Sequence, residues 1–380
     1  MKIMIQQMKD RYGKRDSGIE LARIIGCLIV IGVHTLLGYE QEGGWDNSRL
    51  FLGMIFADGV AIFWLIMGAF LYNNVKYSRL INRTIKTIVV PMIIVGIIVF
   101  YFGDWLTGFS SFSTSIHHTK EEYINVLHSI LRLNNGIGEL PHFWYLFVYI
   151  LLIICYPIFK AFVDFLDEDI KRTKIFMVVS LALLVLNDTT NNETFVFSHH
   201  SINGLVPAAI ISIWGHIIYV NKDRIKKIYA VYSIVIFLLA NFLRLYIQIR
   251  RVNNGVFGKA IMSWATSFGL ICSICVVVFC ICIMKDKKRS NYIINYIASY
   301  TLFVYLMHWL IKDLVYNIGL TGFIMKHTCN AVNGIKGEIL YSTLIIITIF
   351  AICFVLSFIL RIVRYPLQLI MKHYFYKVDS

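Results

Sequence analysis

Charge is scarce in this chain. Only 15% of its 380 residues are Asp, Glu, Lys or Arg, and Asp plus Glu number 22 against 36 Lys plus Arg. With 58% hydrophobic residues and a mean hydropathy of +0.68, a soluble globular enzyme is excluded and a polytopic membrane protein is expected. The motifs of several large enzyme classes are missing. There is no Walker loop, no GxGxxG, no HExxH and no Gly-x-Ser-x-Gly elbow, which argues against nucleotide hydrolysis, dinucleotide redox chemistry, zinc proteolysis and serine-hydrolase catalysis. A disulfide framework is also missing. Seven of the eight cysteines lie in apolar runs and Cys329 alone is in a loop. Cys272-Ser-Ile-Cys275 has the spacing of a redox or zinc pair but sits mid-span with no second pair, so it reads as small packing residues and no metal site is expected. There is no solenoid-type repeat, no low-complexity tract and no room for a second globular domain.

What is present is a series of apolar runs near the twenty-residue span length. They fall at 19–39, 50–72, 85–105, 142–165, 175–187, 205–220, 228–246, 260–284, 296–316 and 340–363. The expected fold is an all-α integral membrane bundle of about ten transmembrane helices. Its organisation is a cytoplasmic N-terminal segment 1–18, a transmembrane domain 19–365 and a cytoplasmic tail 366–380. Residues 1–18 are polar and no small-residue cleavage site follows the first run, so no signal peptide is expected.

The net charge of +14 does not point to nucleic acid, because the basic residues cluster in alternate loops. Lys9, Arg11, Lys14 and Arg15, then Lys76, Arg79 and Arg83, then Lys171, Arg172 and Lys174, then Lys222, Arg224, Lys226 and Lys227, then 285–290 and the C-terminus share one side if there are ten spans. The positive-inside rule makes that side, and both termini, cytoplasmic. Loops 40–49 and 188–204 are poor in Lys and Arg. Loop 247–259 departs from the pattern with Arg250, Arg251 and Lys259. Loop 106–141 is long enough to cover an outer mouth and to hold a short helix around 120–132.

Inside the first run stand Arg23 and His34. A guanidinium and an imidazole in hydrocarbon mark a candidate functional site. Eleven residues of helix advance roughly 16 Å and return to within about 20° of the starting direction, so the two share a face at opposite ends of the span. Glu20, one turn earlier, is placed to orient Arg23. The plainer readings are a snorkelling arginine and a hydrogen-bonding histidine. Asp58 is a second intrusion, expected either to polarise His34 in an acid–base relay or to be neutral and hydrogen-bonded. His216 and His308 read first as interhelical hydrogen-bonding residues, and Arg244 and Lys312 as residues able to face the same cavity. Arg79, Arg83 and Lys86 precede the third span. With Arg23 they form a candidate phosphate cradle, although positive-inside anchoring explains Arg79 equally well.

Taken together, these segments resemble the type-3 membrane acyltransferase family of bacterial O-acyltransferases. The acid-x-x-Arg opening and the Arg-(ten residues)-His spacing are met by Glu20-Leu-Ala-Arg23 and Arg23 to His34. The second-helix motif is similar to Phe63-Trp-Leu-Ile-Met67-Gly68-Ala69-Phe70-Leu71, with Met67 where a serine is usual. The third is similar to Arg83-Thr-Ile-Lys86 with Pro91 slightly late. The fourth is similar to His142-Phe143-Trp144-Tyr145-Leu146 with Tyr156-Pro157, and a late one to Ser299 through His308.

The resemblance covers about Gly18 to the end of the tenth span. It implies an acyltransferase of a bacterial inner membrane with no bound cofactor. Acyl-CoA, acetyl-CoA above all, is the implied donor, and an envelope polysaccharide, glycolipid or lipid-linked molecule the implied acceptor. Arg23, Glu20, Arg83, Lys86, Trp144 and His308 would bind substrate, and His34 with Asp58 would be catalytic. His34 would act as general base or as an acyl-imidazole relay. The competing class is a proton-coupled transporter or flippase, which a His–Asp pair also fits. A transporter should show two similar halves, and none is visible.

Overall fold

The computed structural model describes residues 15–36, 52–73, 76–132, 137, 140–189, 203–253, 264–285, 291–332 and 334–375. The expected outer loop 40–49, most of loop 188–204, residues 254–259 of loop 247–259, the basic stretch after residue 285 and most of segment 1–18 lie outside the described residues, while 247–253 continue a helix. Every regular element among the described residues is helical.

The first helix, α1 (Ser17–Leu36), leads to a helical turn at 52–55 and then α2 (Gly59–Leu71). Next come α3 (Tyr77–Thr84), one π-helical turn (Ile85–Val89) and α4 (Val90–Thr107). Two short helices follow, α5 (Phe112–Ser115) and α6 (Lys120–Leu131). The helix α6 is the one anticipated near 120–132. Its start is set by a capping box in which Thr119 and Glu122 satisfy each other's backbone N–H groups, an arrangement that also holds the exposed Glu122 carboxyl below its ordinary pKa.

A 3₁₀ turn (Pro141–Phe143) opens α7 (Trp144–Ile154), followed by α8 (Tyr156–Asp167), α9 (Ile170–Thr189) and α10 (Leu205–Val220). The remainder comprises α11 (Tyr229–Asn253), α12 (Ser267–Met284), α13 (Tyr292–Ala298), α14 (Thr301–Asn317), α15 (Leu320–His327) and α16 (Ile335–Phe375).

Six helical stretches are long and apolar enough to cross a membrane, or eight if two bent pairs each make one span. The expected count of about ten is therefore approximate, and the differences have physical causes. The run 142–165 is broken, with α7 and α8 meeting at 68°. Pro157 lacks an N–H and its ring clashes with the carbonyl four residues back, so α7 cannot continue through it. The run 296–316 is likewise bent, by 48° between α13 and α14. The helix α10 has 16 residues and, at 1.5 Å per residue, falls short of a hydrocarbon core of about 30 Å. The helix α9 is polar at both ends, through Lys171, Arg172 and Lys174 and then Asn187 and Asp188.

Burial sorts the helices into layers. In α1, α2 and α12 most residues are buried, whereas α4 and α11 are mostly exposed. Their exposed residues are Ile93, Ile94, Ile97 and Ile98 on α4, and Val231, Ile234, Val235 and Leu239 on α11, the composition of a lipid-facing surface. The inner packing depends on close backbone approach. A Cβ at Gly68 would meet the backbone of Ser212, and one at Gly215 would meet the backbone of Leu65. Small residues on both sides let α2 and α10 sit together without intervening side chains.

Candidate active site

The helix α1 carries both ends of the site. At its start, Glu20 is buried and its carboxylate lies 3.4 Å from both Arg15 and Arg23. Arg23 is therefore oriented by Glu20, one turn away, as its spacing implies. Its charge acts on the hydroxyls of Tyr145 and Tyr149 of α7, and the charge of Arg83 also acts on Tyr149. Arg23 and Arg83 thus both lie within electrostatic range of one tyrosine, from different helices. The helix α3 is held there by a 2.9 Å hydrogen bond from the Tyr77 hydroxyl to the Ile154 carbonyl. Arg83 and Lys86 are exposed, and Lys86 lies in the π-helical turn just before Pro91. That wider turn absorbs the proline, whose ring would clash with a regular helical turn.

From Tyr145 an unbroken row of rings leads to the other end of α1. Trp144 stacks on Trp264 at 5.5 Å, and Tyr145 packs against Trp64 at 4.4 Å and Tyr305 at 5.5 Å. Tyr305 in turn lies 5.3 Å from His142 and 5.7 Å from His308. There His34, partly exposed on α1, meets two more imidazoles. Its ring stacks on His308 of α14 at 5.2 Å and 29°, and His142, at the entry to α7, lies 6.4 Å from His34 and 4.6 Å from His308. Trp309 closes the group, edge-on to His34 at 5.1 Å and parallel to His142 at 6.0 Å.

His142 and His308 are each only 1% exposed. His308 Nδ1 lies 2.6 Å from the Tyr305 carbonyl, and the Tyr305 hydroxyl donates to the His142 carbonyl at 2.5 Å. Both ring nitrogens of His142 and Nε2 of His308 lack a hydrogen-bond partner among the described residues. Behind Trp309 lies a cavity of about 340 Å³ walled also by Phe100, Asp104, His118, Leu140 and Asp313. Lys312 sits 3.7 Å above the Trp309 ring and 3.3 Å from Asp313. Three imidazoles gathered this closely can accept a hydroxyl proton, carry an acyl group or both.

Asp58 departs from the expected relay. Both of its carboxylate oxygens are held by the Arg244 guanidinium, at 2.9 and 3.1 Å, and the same guanidinium donates to the Met54 carbonyl at 3.1 Å. Arg244 is fully buried and Asp58 nearly so. Asp58 stands where the helical turn at 52–55 gives way to α2, so Arg244 binds both the carboxylate and the Met54 carbonyl, which also accepts from the Ala57 N–H at 3.1 Å. A bidentate arginine is a far stronger partner for a buried carboxylate than a neutral imidazole. Asp58 is accordingly part of the scaffold and does not polarise His34. His216 behaves as its sequence context suggests, with Nε2 2.9 Å from the Asp167 carboxylate. The eight cysteines are unpaired.

The structure pairs Glu20 with Arg23 at the start of α1 and brings His308 against His34 near its other end. Sequence reasoning read His142 only as part of a motif and gave Trp309 no role. A histidine before a Phe-Trp pair at the mouth of an apolar run was the available signal for the first.

The acyltransferase domain family model matches residues 16–358, nearly the whole chain. No curated protein and no solved structure gives a significant match. A match of this extent, over the same helices that bring Arg23, His34, His142 and His308 into one path, establishes the chain as a member of the type-3 acyltransferase family.

Proposed function

We propose that this protein transfers an acyl group, acetyl in the first instance, from cytoplasmic acyl-CoA to a hydroxyl of an envelope polysaccharide, glycolipid or related acceptor across a bacterial inner membrane. The observation that carries the reading is the path itself. A cationic mouth at Arg23 and Arg83 is joined by the row of rings through Tyr145 and Tyr305 to three clustered imidazoles. CoA is anionic at its nucleotide end and thin along its pantetheine arm. Its phosphates suit Arg83, Lys86 and Arg23. The separation of Arg23 and His34 along α1, roughly 16 Å, is comparable with the reach of the arm, which would deliver the thioester to His34. The carbonyl carbon is then attacked either by an acceptor oxygen that loses its proton to His34 or by His34 itself.

Mass spectrometry of envelope glycans and lipids, with and without the gene, tests the reaction class: one acyl substituent should disappear. His34→Gln should remove the same substituent at unchanged membrane abundance, because an amide hydrogen-bonds but does not accept a proton near neutral pH. An unaltered envelope in the deletion strain rejects the reading. Single cysteines test the orientation: at the exposed position 113, Ser113→Cys should react with an impermeant maleimide on intact cells, and Arg79→Cys should not. Labelling at position 79 on intact cells would reverse the direction of acyl flow.

A further inference from the structure

His308 has one nitrogen engaged and one left over. A carbonyl oxygen only accepts, so the 2.6 Å contact between His308 Nδ1 and the Tyr305 carbonyl places the ring proton on Nδ1. The lone pair of the neutral ring is then on Nε2, which is buried and has no donor among the described residues. A native core satisfies its buried polar atoms, and one left unsatisfied calls for an explanation. The neighbouring Lys312 is already engaged with Asp313 and the Trp309 ring. His34, whose ring stacks at 5.2 Å, differs from His308 in being partly exposed and on the Arg23 face of α1. If His34 were the only base, His308 Nε2 would have no task.

Resting on the acyltransferase reading above, we infer that the two imidazoles divide the reaction: His34 carries the acyl group and His308 Nε2 is the base for the acceptor hydroxyl. In the first half, a His34 ring nitrogen forms a bond to the thioester carbonyl carbon. The C–S bond breaks, and the thiolate leaves with its electron pair and takes the proton given up by the His34 ring. In the second half, the acceptor O–H gives its proton to His308 Nε2 as its oxygen bonds to the acyl carbon. The C–N bond breaks, its pair returns to His34, and His308 hands the proton to that nitrogen. Both imidazoles finish neutral, and the net change is acyl-CoA plus alcohol to ester plus CoA thiol. The Tyr305 carbonyl keeps the His308 base on Nε2 throughout, which a freely tautomerising ring would not ensure.

The test uses membranes holding the full-length protein, acetyl-CoA as donor, and two acceptors: the glycan and lipid fraction of the same membranes, and hydroxylamine. Hydroxylamine is a strong nucleophile at neutral pH and needs no general base. His308→Gln should make acetohydroxamate at close to the wild-type rate, while transfer to the hydroxyl acceptors falls about a hundredfold or more. His34→Gln should lose both. Equal loss of both reactions in His308→Gln, at wild-type abundance and melting temperature, would overturn the division of labour, and so would no loss in either. The wild-type protein offers a second check that needs no variant. Without acceptor it should release a burst of CoA thiol equal to one per protein. Transfer to hydroxyl acceptors with no such burst would make the reaction a direct displacement and sink the acyl-carrier half. Wild-type membranes that transfer nothing from acetyl-CoA would instead reject the acetyltransferase reading on which the inference rests.

Discussion

Two of the buried polar clusters in this bundle are built on opposite principles. Around Arg244 all but the Nε is satisfied: two bonds to Asp58 and one to the Met54 carbonyl, with the Ser273 hydroxyl donating to the Asp58 carbonyl at 3.3 Å. Around His34 the opposite holds, with three ring nitrogens of His142 and His308 unpartnered among the described residues and a cavity walled by Trp309. The first is a closed charge pair at a helix break. The second is an open set of acceptors and donors held in place by backbone contacts. Burial and charge therefore do not by themselves identify a reactive site in a membrane protein. The distinction lies in whether the polar groups have already spent their bonding capacity on one another.

Substitutions can break or sharpen that contrast. The largest effect is expected at the open cluster and on rate alone. His34→Ala should lower acyl transfer by about a hundred- to ten-thousand-fold, measured on purified protein, with melting temperature nearly unchanged because the ring is partly exposed and, among the described residues, is held by ring contacts and not by a buried ion pair like that of Arg244.

The closed pair should respond in the reverse way. Asp58→Ala or Arg244→Ala leaves a buried charge unpaired, at a cost of about 3–5 kcal/mol. Membrane abundance and thermal stability in detergent should fall together. Replacing both, Asp58→Leu with Arg244→Met, should recover much of the loss. Full stability in either single variant, with activity abolished, would move Asp58 back among the reacting groups.

Gly215→Leu probes the scaffold apart from either cluster. The added side chain meets the backbone at Leu65, and overpacking of this kind costs about 1–3 kcal/mol, readable as a lower melting temperature. The smallest effects belong to the donor mouth. Arg83→Ala and Lys86→Ala remove exposed cations, so each should weaken binding of a non-hydrolysable acetyl-CoA by about two- to fivefold, as expected for exposed ion pairs worth up to ~1 kcal/mol. The wild-type affinity should itself fall at high salt. Unchanged affinity in titration calorimetry would leave both residues as topology anchors.

Much of this was legible in the sequence because it depends on local rules. Apolar length announced the membrane helices, and the helical repeat alone put Arg23 and His34 on one face of α1, with Glu20 a turn away from the arginine. The length of loop 106–141 allowed a short helix around 120–132, and α6 lies there. These features need only one segment of chain and the geometry of an α-helix. The tertiary structure decided what local rules cannot reach. It gave Asp58 to Arg244, 186 residues away, and it gathered His142 and His308 around His34 from separate helices. It also bent α7 against α8 at the proline and set α2 on α10 through two glycines. Periodicity states which way a side chain faces along its own helix. What it meets there depends on how the helices cross, and that is fixed by packing summed over the whole bundle.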